Sequence, residues 1–138
     1  MKQLLMVWRN EEPLTPMAIP EGYRFHNWRR GGDDVISVEE YRERWIPMWG
    51  AENVEQITKW FPEVYNDTRV PDDGFYTILH GERELVAVSC IQLGEHTPDS
   101  ATVHAVAASS DHKGKGLGRI VTQLVMPEAQ RRGSTRPI

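Results

Sequence analysis

The stretch SSDHKGKGLGRIV, residues 109–121, is the most informative segment of this chain. It follows ATVHAVAA, a run of small residues with the composition of a strand. Beyond the glycines, apolar residues recur at helical spacing: Leu117, Ile120, Val121, Leu124 and Val125. A strand that runs through glycines into a helix points backbone N–H groups and the positive end of the helix dipole at one place. The segment therefore predicts a phosphate-binding loop, and a plain glycine-rich bend is the alternative.

The glycine spacing excludes two common phosphate loops. The loop of P-loop nucleotide triphosphatases needs Gly-Lys followed by Ser or Thr, whereas each lysine here precedes its glycine, at Lys113 and Lys115. The dinucleotide pattern G-x-G-x-x-G also fails, because Arg119 or Val121 stands where the third glycine belongs. If the loop binds phosphate, its ligand is therefore expected to be neither a nucleotide triphosphate in a P-loop nor a dinucleotide.

Periodicity and turn residues place further elements along the chain. The predicted strands are 22–29, 75–80, 85–93 and 101–109, with another short strand, LLMVWR, upstream. The predicted helices follow acidic cap candidates at Asp34, a cap at Asn53 and the glycines at 114–118, with an interruption near Pro62 and a kink at Pro127. This order predicts one α/β (α+β) domain over residues 1–138, with a mixed, mostly antiparallel sheet flanked by helices.

Composition and charge narrow the function classes. The 138 residues are 39% hydrophobic and 26% charged, and no apolar run approaches the roughly 20 residues of a membrane span. No targeting segment is evident, so a cytoplasmic location is predicted. Residues 113–138 carry six Lys or Arg against one acidic residue, and residues 1–112 carry 10 against 19. This asymmetry suits an anion at the glycine stretch and argues against a broad nucleic-acid surface.

Cysteine content adds little chemistry. Cys90 is the one cysteine and lies in the apolar run LVAVSCIQL, so it predicts a buried packing residue. Without a second cysteine there is no disulfide and no cysteine spacing for a metal, and no metal site is predicted.

The segment Lys113 to Gly118, KGKGLG, resembles the [QR]-x-x-G-x-[GA] motif of Gcn5-related N-acetyltransferases, the GNAT family, with Lys in the first position. The predicted order of elements also resembles that family's order. The resemblance implies that acetyl-CoA is the co-substrate. Its pyrophosphate would be held by Lys113, Gly114, Lys115, Gly116, Leu117, Gly118 and Arg119, and its pantetheine arm by Val106, Ala107 and Ala108.

The resemblance also implies direct acetyl transfer to an amine, with the thioester carbonyl polarised by a backbone amide of Val106 or Ala107. For the general base, His104 titrates near neutral pH and is predicted on the same strand face as Val106; the alternative is a histidine packed in the sheet. Glu95, next to His96, is the second choice of base, and His112 is expected to be a phosphate neighbour or a spectator.

The end of the sequence departs from the family pattern. The family continues with a fifth strand, a tyrosine-bearing helix and two more strands, whereas only STRPI follows Gly133. We therefore expect a C-terminally truncated domain without an assignable general acid. Three explanations are open: a shortened chain, a homodimer that completes the sheet, or an upstream strand that takes the place of the missing fifth strand.

The acceptor is expected to contact the first two helices. That region contributes the aromatic side chains of Trp45, Trp49, Trp60 and Phe61 and the carboxylates of Glu52 and Glu55. Such a pocket suits a primary amine of a small molecule or peptide, or a polyamine-like cation. The competing interpretation places Trp45 and Trp60 in the core. The leading hypothesis is an N-acetyltransferase, with a non-catalytic CoA-binding module and a phosphate or RNA binder as alternatives.

Overall fold

The computed structural model describes residues 18–94, 101–112 and 114–133. The predicted upstream strand LLMVWR, the second-choice base Glu95 with His96, the loop residue Lys113 and the final STRPI lie outside these described residues. In the described part of the chain, no helix is long and apolar enough to cross a membrane.

Within the described residues, four strands form one sheet in the order β1-β2-β3-β4, and each neighbouring pair is antiparallel. The elements in chain order are β1 Tyr23–Trp28, α1 Val38–Trp45, α2 Val54–Tyr65, β2 Phe75–His80, β3 Glu84–Leu93, β4 Ala101–Ala108 and α3 Leu117–Gly133. The predicted α/β (α+β) fold with a mostly antiparallel sheet flanked by helices is confirmed, and every pairing among the described strands is antiparallel.

Helices cover both faces of the sheet. On one face, here called the α1–α2 face, α1 and α2 pack on the strands through a buried cluster that includes Tyr41, Phe61 and Phe75. On the opposite face, the α3 face, Leu117 and Val121 of α3 pack against Ile91 and other strand residues. Burial on both faces explains why β2 and β3 are almost continuously apolar instead of alternating with polar residues.

The first helix starts later than the sequence suggested. The side-chain oxygen of Ser37 accepts a hydrogen bond from the N–H of Glu40 at 3.1 Å, and α1 begins at Val38. Asp33 instead forms a turn, because its Oδ1 accepts from the N–H groups of Val35 and Ile36 at 2.9 and 2.8 Å. The acidic residues at 33–34 therefore precede the helix and do not cap it.

Neither internal proline breaks its helix, so the predicted interruption near Pro62 is wrong, while the kink predicted at Pro127 stays a prediction. Helix α2 runs through Pro62 to Tyr65, and α3 runs through Pro127 to Gly133. Both prolines lie on the exposed side of their helix, where water can hydrate the carbonyl that loses its donor. Burial of the apolar side, for example Phe61 and Val64 in α2, supports continuation of the helix.

Candidate functional site

A bulge in β4 decides which side chains reach each face of the sheet. Cys90 is paired with His104 and Val88 with Ala107, so Ser89 alone lies opposite both Ala105 and Val106. An extra residue in one strand shifts the alternation of side chains by one position. Ala105 absorbs the irregularity in a left-handed conformation, with φ of 55°.

The bulge corrects the predicted orientation of the candidate base. The His104 ring lies 6.0 Å from the Trp60 ring of α2, and Ala105 packs in the same α1–α2 cluster. Val106 packs instead against the α3 cluster. His104 and Val106 are therefore on opposite faces, because the extra residue between them reverses the alternation that the sequence implied.

The glycine stretch forms an exposed loop between β4 and α3. The N–H of Ser109 donates to the carbonyl of Val86 at 2.7 Å and closes the sheet before the loop begins. Gly114 and Gly116 have φ of 84° and 67°, values that L side chains rarely adopt. Their positive φ explains why glycine occupies these two positions.

The loop leads directly into a helix N-terminus. The N–H of Ile120 donates to the carbonyl of Gly116 at 2.9 Å, which is the first closed turn of α3. The N–H groups of Leu117, Gly118 and Arg119 precede that turn and have no acceptor within the helix. With the helix dipole, they form a region of positive potential on the protein surface.

The space over this loop fits a pyrophosphate-bearing ligand. A Cβ built at Gly114, Gly116 or Gly118 would meet no atom within 4 Å, so a ligand can approach the backbone there. Lys115 and Arg119 are exposed and supply positive charge beside the free amides. Backbone donors, open space and cations together are the features that phosphate groups need.

Strand β4 is an edge of the sheet in the described part of the chain. The segment Val106–Ala108 runs directly into the glycine loop. Two of its three side chains are alanine methyl groups, which leave the backbone approachable. Unpaired N–H and C=O groups on such an edge can hydrogen-bond an extended ligand in the manner of an added strand.

A cleft of about 680 Å³ opens beside His104 on the α1–α2 face. Trp60 and Glu63 of α2, Asp67 and Arg69 of the following turn, Gln92 of β3 and His104 of β4 are among its lining residues. The cleft combines an aromatic ring with polar and charged groups, which is the composition of a site for a polar small ligand.

His104 is half-buried in the wall of this cleft. Burial lowers the pKa of His104, Asp67 opposes the shift by attracting the protonated form, and Arg69 reinforces it. The lowered pKa favours neutral imidazole at neutral pH. A neutral ring can accept a proton, as a general base must.

Asp67 is the most constrained charge in the cleft. Its carboxylate accepts from Nε and Nη2 of Arg69 at 3.0 and 2.8 Å and from Nε2 of Gln92 at 2.7 Å. The Arg69 hydrogen bonds are the largest cause that holds the pKa of Asp67 at about 2. Asp67 therefore stays ionised and joins the turn after α2 to strand β3.

The predicted acceptor residues differ in burial and in contact with the cleft. Trp45 and Phe61 are buried in the core, while Trp60 contacts both the core cluster and the cleft. Trp49 is half-buried beside them, with ring centroids 5.1 Å from Trp60. The predicted carboxylates Glu52 and Glu55 are exposed and do not line the cleft.

Sequence reasoning missed seven of the nine residues that line the cleft, namely Glu63, Val64, Asn66, Asp67, Thr68, Arg69 and Gln92. They come from a helix, a turn and a strand that only the folded sheet brings together. The one available signal was the polar run NDTR directly after α2.

Cys90 is buried as predicted. Burial raises the pKa of its thiol to about 12, so it stays protonated at neutral pH. His112 lies close in sequence to the glycine loop, but its ring nitrogens contact Tyr23 and Glu84.

Comparison with known proteins bears on the family and the fold of the chain. The model of the acetyltransferase (GNAT) family matches residues 37–137. A provisionally assigned acetyltransferase from Pyrococcus horikoshii is similar in structure, with a TM-score of 0.59 and 16% identity over 84% of this chain and 37% of that one. At 16% sequence identity, this structural similarity shows a shared fold. No match was found among curated proteins.

Two further solved structures resemble the chain less closely. A GCN5-related N-acetyltransferase from Kribbella flavida has a TM-score of 0.47 and 15% identity over 80% of this chain and 28% of that one. Glucosamine-6-phosphate N-acetyltransferase from Arabidopsis thaliana has a TM-score of 0.47 and 16% identity over 86% and 81% of the two chains. The chain thus spans little more than a third of the Pyrococcus protein and less of the Kribbella protein.

Proposed function

Since the chain belongs to the acetyltransferase (GNAT) family, we propose that it transfers the acetyl group of acetyl-CoA directly to a primary amine of a small molecule or peptide. One observation carries the proposal: β4 joins an open, amide-rich glycine loop at one end to His104 and its cleft further along the strand. The four residue steps from Ala108 to His104 span about 13 Å, so an extended ligand arm can connect the two.

The loop is assigned to the pyrophosphate of acetyl-CoA. The backbone amides from Gly114 to Gly118 donate to the phosphate oxygens, and Arg119 and Lys113 add charge. Lys113 lacks the planar guanidinium of Arg, so its contact is with the charge of the phosphate alone. The edge of β4 at Val106–Ala108 then binds the pantetheine arm through main-chain hydrogen bonds.

The bulge and His104 are assigned to the transfer step. Acetyl-CoA supplies an acyl thioester when bound. The N–H of Val106 or Ala107 donates to the carbonyl oxygen and stabilises the negative charge that develops there. The amine nitrogen bonds to the acetyl carbon while the C–S bond breaks, so that CoA leaves as the thiolate, and His104 accepts the proton of the attacking amine, with Glu95 as the second choice. No nucleophilic side chain is required, in keeping with the protonated, buried Cys90.

The cleft is assigned to the acceptor. Glu63 is exposed at its rim, and the ring of Trp60 faces the same space. A carboxylate and an aromatic face both attract an ammonium group before it loses its proton. The ionised Asp67 carboxylate is paired with Arg69, so it contributes more to the shape of the cleft than to its net charge.

Calorimetric titration with CoA, acetyl-CoA and sulfate tests the assigned loop. We expect CoA to bind far more tightly than sulfate, because the β4 edge contacts the arm as well as the phosphate. Gly116→Val places a branched side chain at φ of 67° in the open space of the loop. It should weaken CoA binding about tenfold or more, a loss of at least about 1.4 kcal/mol.

Two further variants separate binding from folding. Gly31→Val imposes comparable strain, at φ of 96° with open space around it, but at the opposite end of β1 from the loop; CoA affinity should be unchanged. Gly118→Ala lies in helical backbone and should stabilise α3 by up to about 1 kcal/mol while still weakening CoA binding. Equal binding of CoA and sulfate, or unchanged affinity in Gly116→Val, would show that the loop is a plain anion site or a bend.

A further inference from the structure

Four side chains meet at the end of the sheet nearest the glycine loop. His80 ends β2, and Glu84 begins β3 directly opposite it in the antiparallel register. His112 ends the short 3-10 turn Ser110–His112 after β4, and Tyr23 begins β1. His80, Glu84 and His112 are here called the histidine cluster, and none of the three has a role in the proposed transfer.

One carboxylate bridges both imidazoles of the cluster. Oε1 of Glu84 lies 2.9 Å from Nδ1 of His80, and Oε2 of Glu84 lies 3.2 Å from Nε2 of His112. The ligand-type atoms of all three residues lie within 4.8 Å of one another.

We propose that His80, Glu84 and His112 bind a divalent transition-metal ion of the zinc type. Two imidazole nitrogens and one carboxylate oxygen are the donor set that Zn²⁺ takes when three protein ligands leave a fourth position to water. Softer ions would require cysteine, and Mg²⁺ or Ca²⁺ would require more oxygen ligands. No metal site was predicted from the sequence, because the three residues belong to different elements.

The distances between the ligand atoms suit a metal ion in place of the protons that Glu84 shares with the two imidazoles. Ligand atoms on a tetrahedral zinc lie about 3.4 Å apart, given Zn–N bonds of about 2.0–2.1 Å. The two carboxylate–imidazole distances, 2.9 and 3.2 Å, are already close to that spacing. All three ligand atoms lie within 4.8 Å of one another, so side-chain rotation can bring them to this spacing, and the β2–β3 pairing fixes the backbone of His80 and Glu84.

Tyr23 supplies the outer support that metal-binding histidines require. Its hydroxyl oxygen lies 2.7 Å from Nδ1 of His112, so that ring directs Nε2 at the cluster. Hydrogen bonding at the distal nitrogen fixes the tautomer and orientation of a metal-binding histidine. The side chains of His80, Glu84 and His112 are 45%, 37% and 12% exposed, which gives an ion a path from solvent.

Titration of the tag-free full chain with Co²⁺ tests the proposal by visible absorption. We expect one equivalent to bind, with bands more intense than those of aqueous octahedral Co²⁺, and Zn²⁺ to displace it. Zn²⁺ should raise the melting temperature, since an ion that binds only the folded chain stabilises it, whereas Mg²⁺ should not. Absence of saturable Co²⁺ binding in the wild-type chain would overturn the proposal.

Variants locate the site within the chain. The double variant His80→Gln and His112→Gln should lose the Co²⁺ spectrum and the Zn²⁺ stabilisation, and Glu84→Gln should weaken both. Tyr23→Phe should weaken binding about tenfold while leaving the ligands in place. His26→Gln is the matched control, because His26 also pairs with a carboxylate, Asp33 at 2.7 Å, but lies outside the cluster. A folded double variant that binds Co²⁺ as the wild type does would refute the site.

Discussion

Ala105 holds a left-handed backbone conformation, φ of 55°, inside a strand. For a residue with a Cβ this conformation costs about 1–2 kcal/mol, so the surrounding structure must enforce it. Here the pairs on either side, Cys90 with His104 and Val88 with Ala107, enclose the extra residue that Ala105 accommodates. The strain turns His104 toward α2 and the cleft, which is what the proposed base requires.

Substitution by glycine tests this strain at the residue scale. Ala105→Gly removes a buried methyl group but relieves the left-handed conformation, whereas Ala107→Gly removes a similarly buried methyl from ordinary strand backbone. We expect Ala105→Gly to cost at least about 1 kcal/mol less unfolding free energy than Ala107→Gly, as measured by urea denaturation. Equal losses in the two variants would show that Ala105 is not strained.

At the scale of the elements, hydrophobic periodicity predicts the helices and strands whose buried side chains recur at regular spacing. The β2–β3 hairpin is read directly from two apolar runs about a glycine turn, and α3 from its apolar stripe. The β4 bulge was not accessible in this way, because it is a property of pairing between strands and ATVHAVAA reads as regular alternation. The helices continued through Pro62 and Pro127 because exposure lowers the cost of a missing hydrogen bond, and exposure is a tertiary property.

The candidate site was predictable to a similar, limited extent. The glycine loop is local, so the positions of its glycines and the start of its helix could be read from the sequence. The cleft is non-local: Asp67 meets Gln92 only because the turn after α2 folds onto β3. The histidine cluster is non-local too, since its members are held together by strand register and by the turn after β4.

Acid titration tests the connection between the α2 turn and β3 at the scale of these elements. The pKa of Asp67 is about 2 in the folded chain against a model-compound value of 3.8. A lowered folded pKa means that the stabilisation is fully present above the unfolded pKa and is lost as pH falls from about 4 through 2. Its size at neutral pH is of the order of 2 kcal/mol.

Urea denaturation at several pH values measures this contribution. Asp67→Asn should unfold more readily than wild type at pH 7, and the difference should shrink as pH falls toward 2. The control Asp72→Asn removes a carboxylate that pairs with Arg30 but is 56% exposed, and should cost less than about 1 kcal/mol. A difference for Asp67→Asn that is constant with pH would mean that its carboxylate charge is not responsible.

At the scale of the whole molecule, the two faces of the sheet support different parts of the proposed site. The α3 face supports the helix whose N-terminus completes the glycine loop, and the α1–α2 face supports the cleft. Strand β4 belongs to both, and its bulge places the neighbours His104 and Ala105 on the α1–α2 face and Val106 on the α3 face. The histidine cluster adds a third feature. His112 contacts Glu84, beside the turn of the β2–β3 hairpin, and so connects that hairpin to the 3-10 turn that precedes the glycine loop.

Thiol release from acetyl-CoA over a panel of primary amines, with wild type and His104→Gln compared across pH, tests the central claim most directly. Burial lowers the pKa of His104, so wild-type kcat/KM should rise with pH through a value below 6.5 and then level off on that limb. His104→Gln should lose about 100-fold or more in kcat, lack this limb and bind CoA as the wild type does. Saturable CoA binding without turnover on any amine would indicate a non-catalytic module, and full activity in His104→Gln would contradict the assigned base.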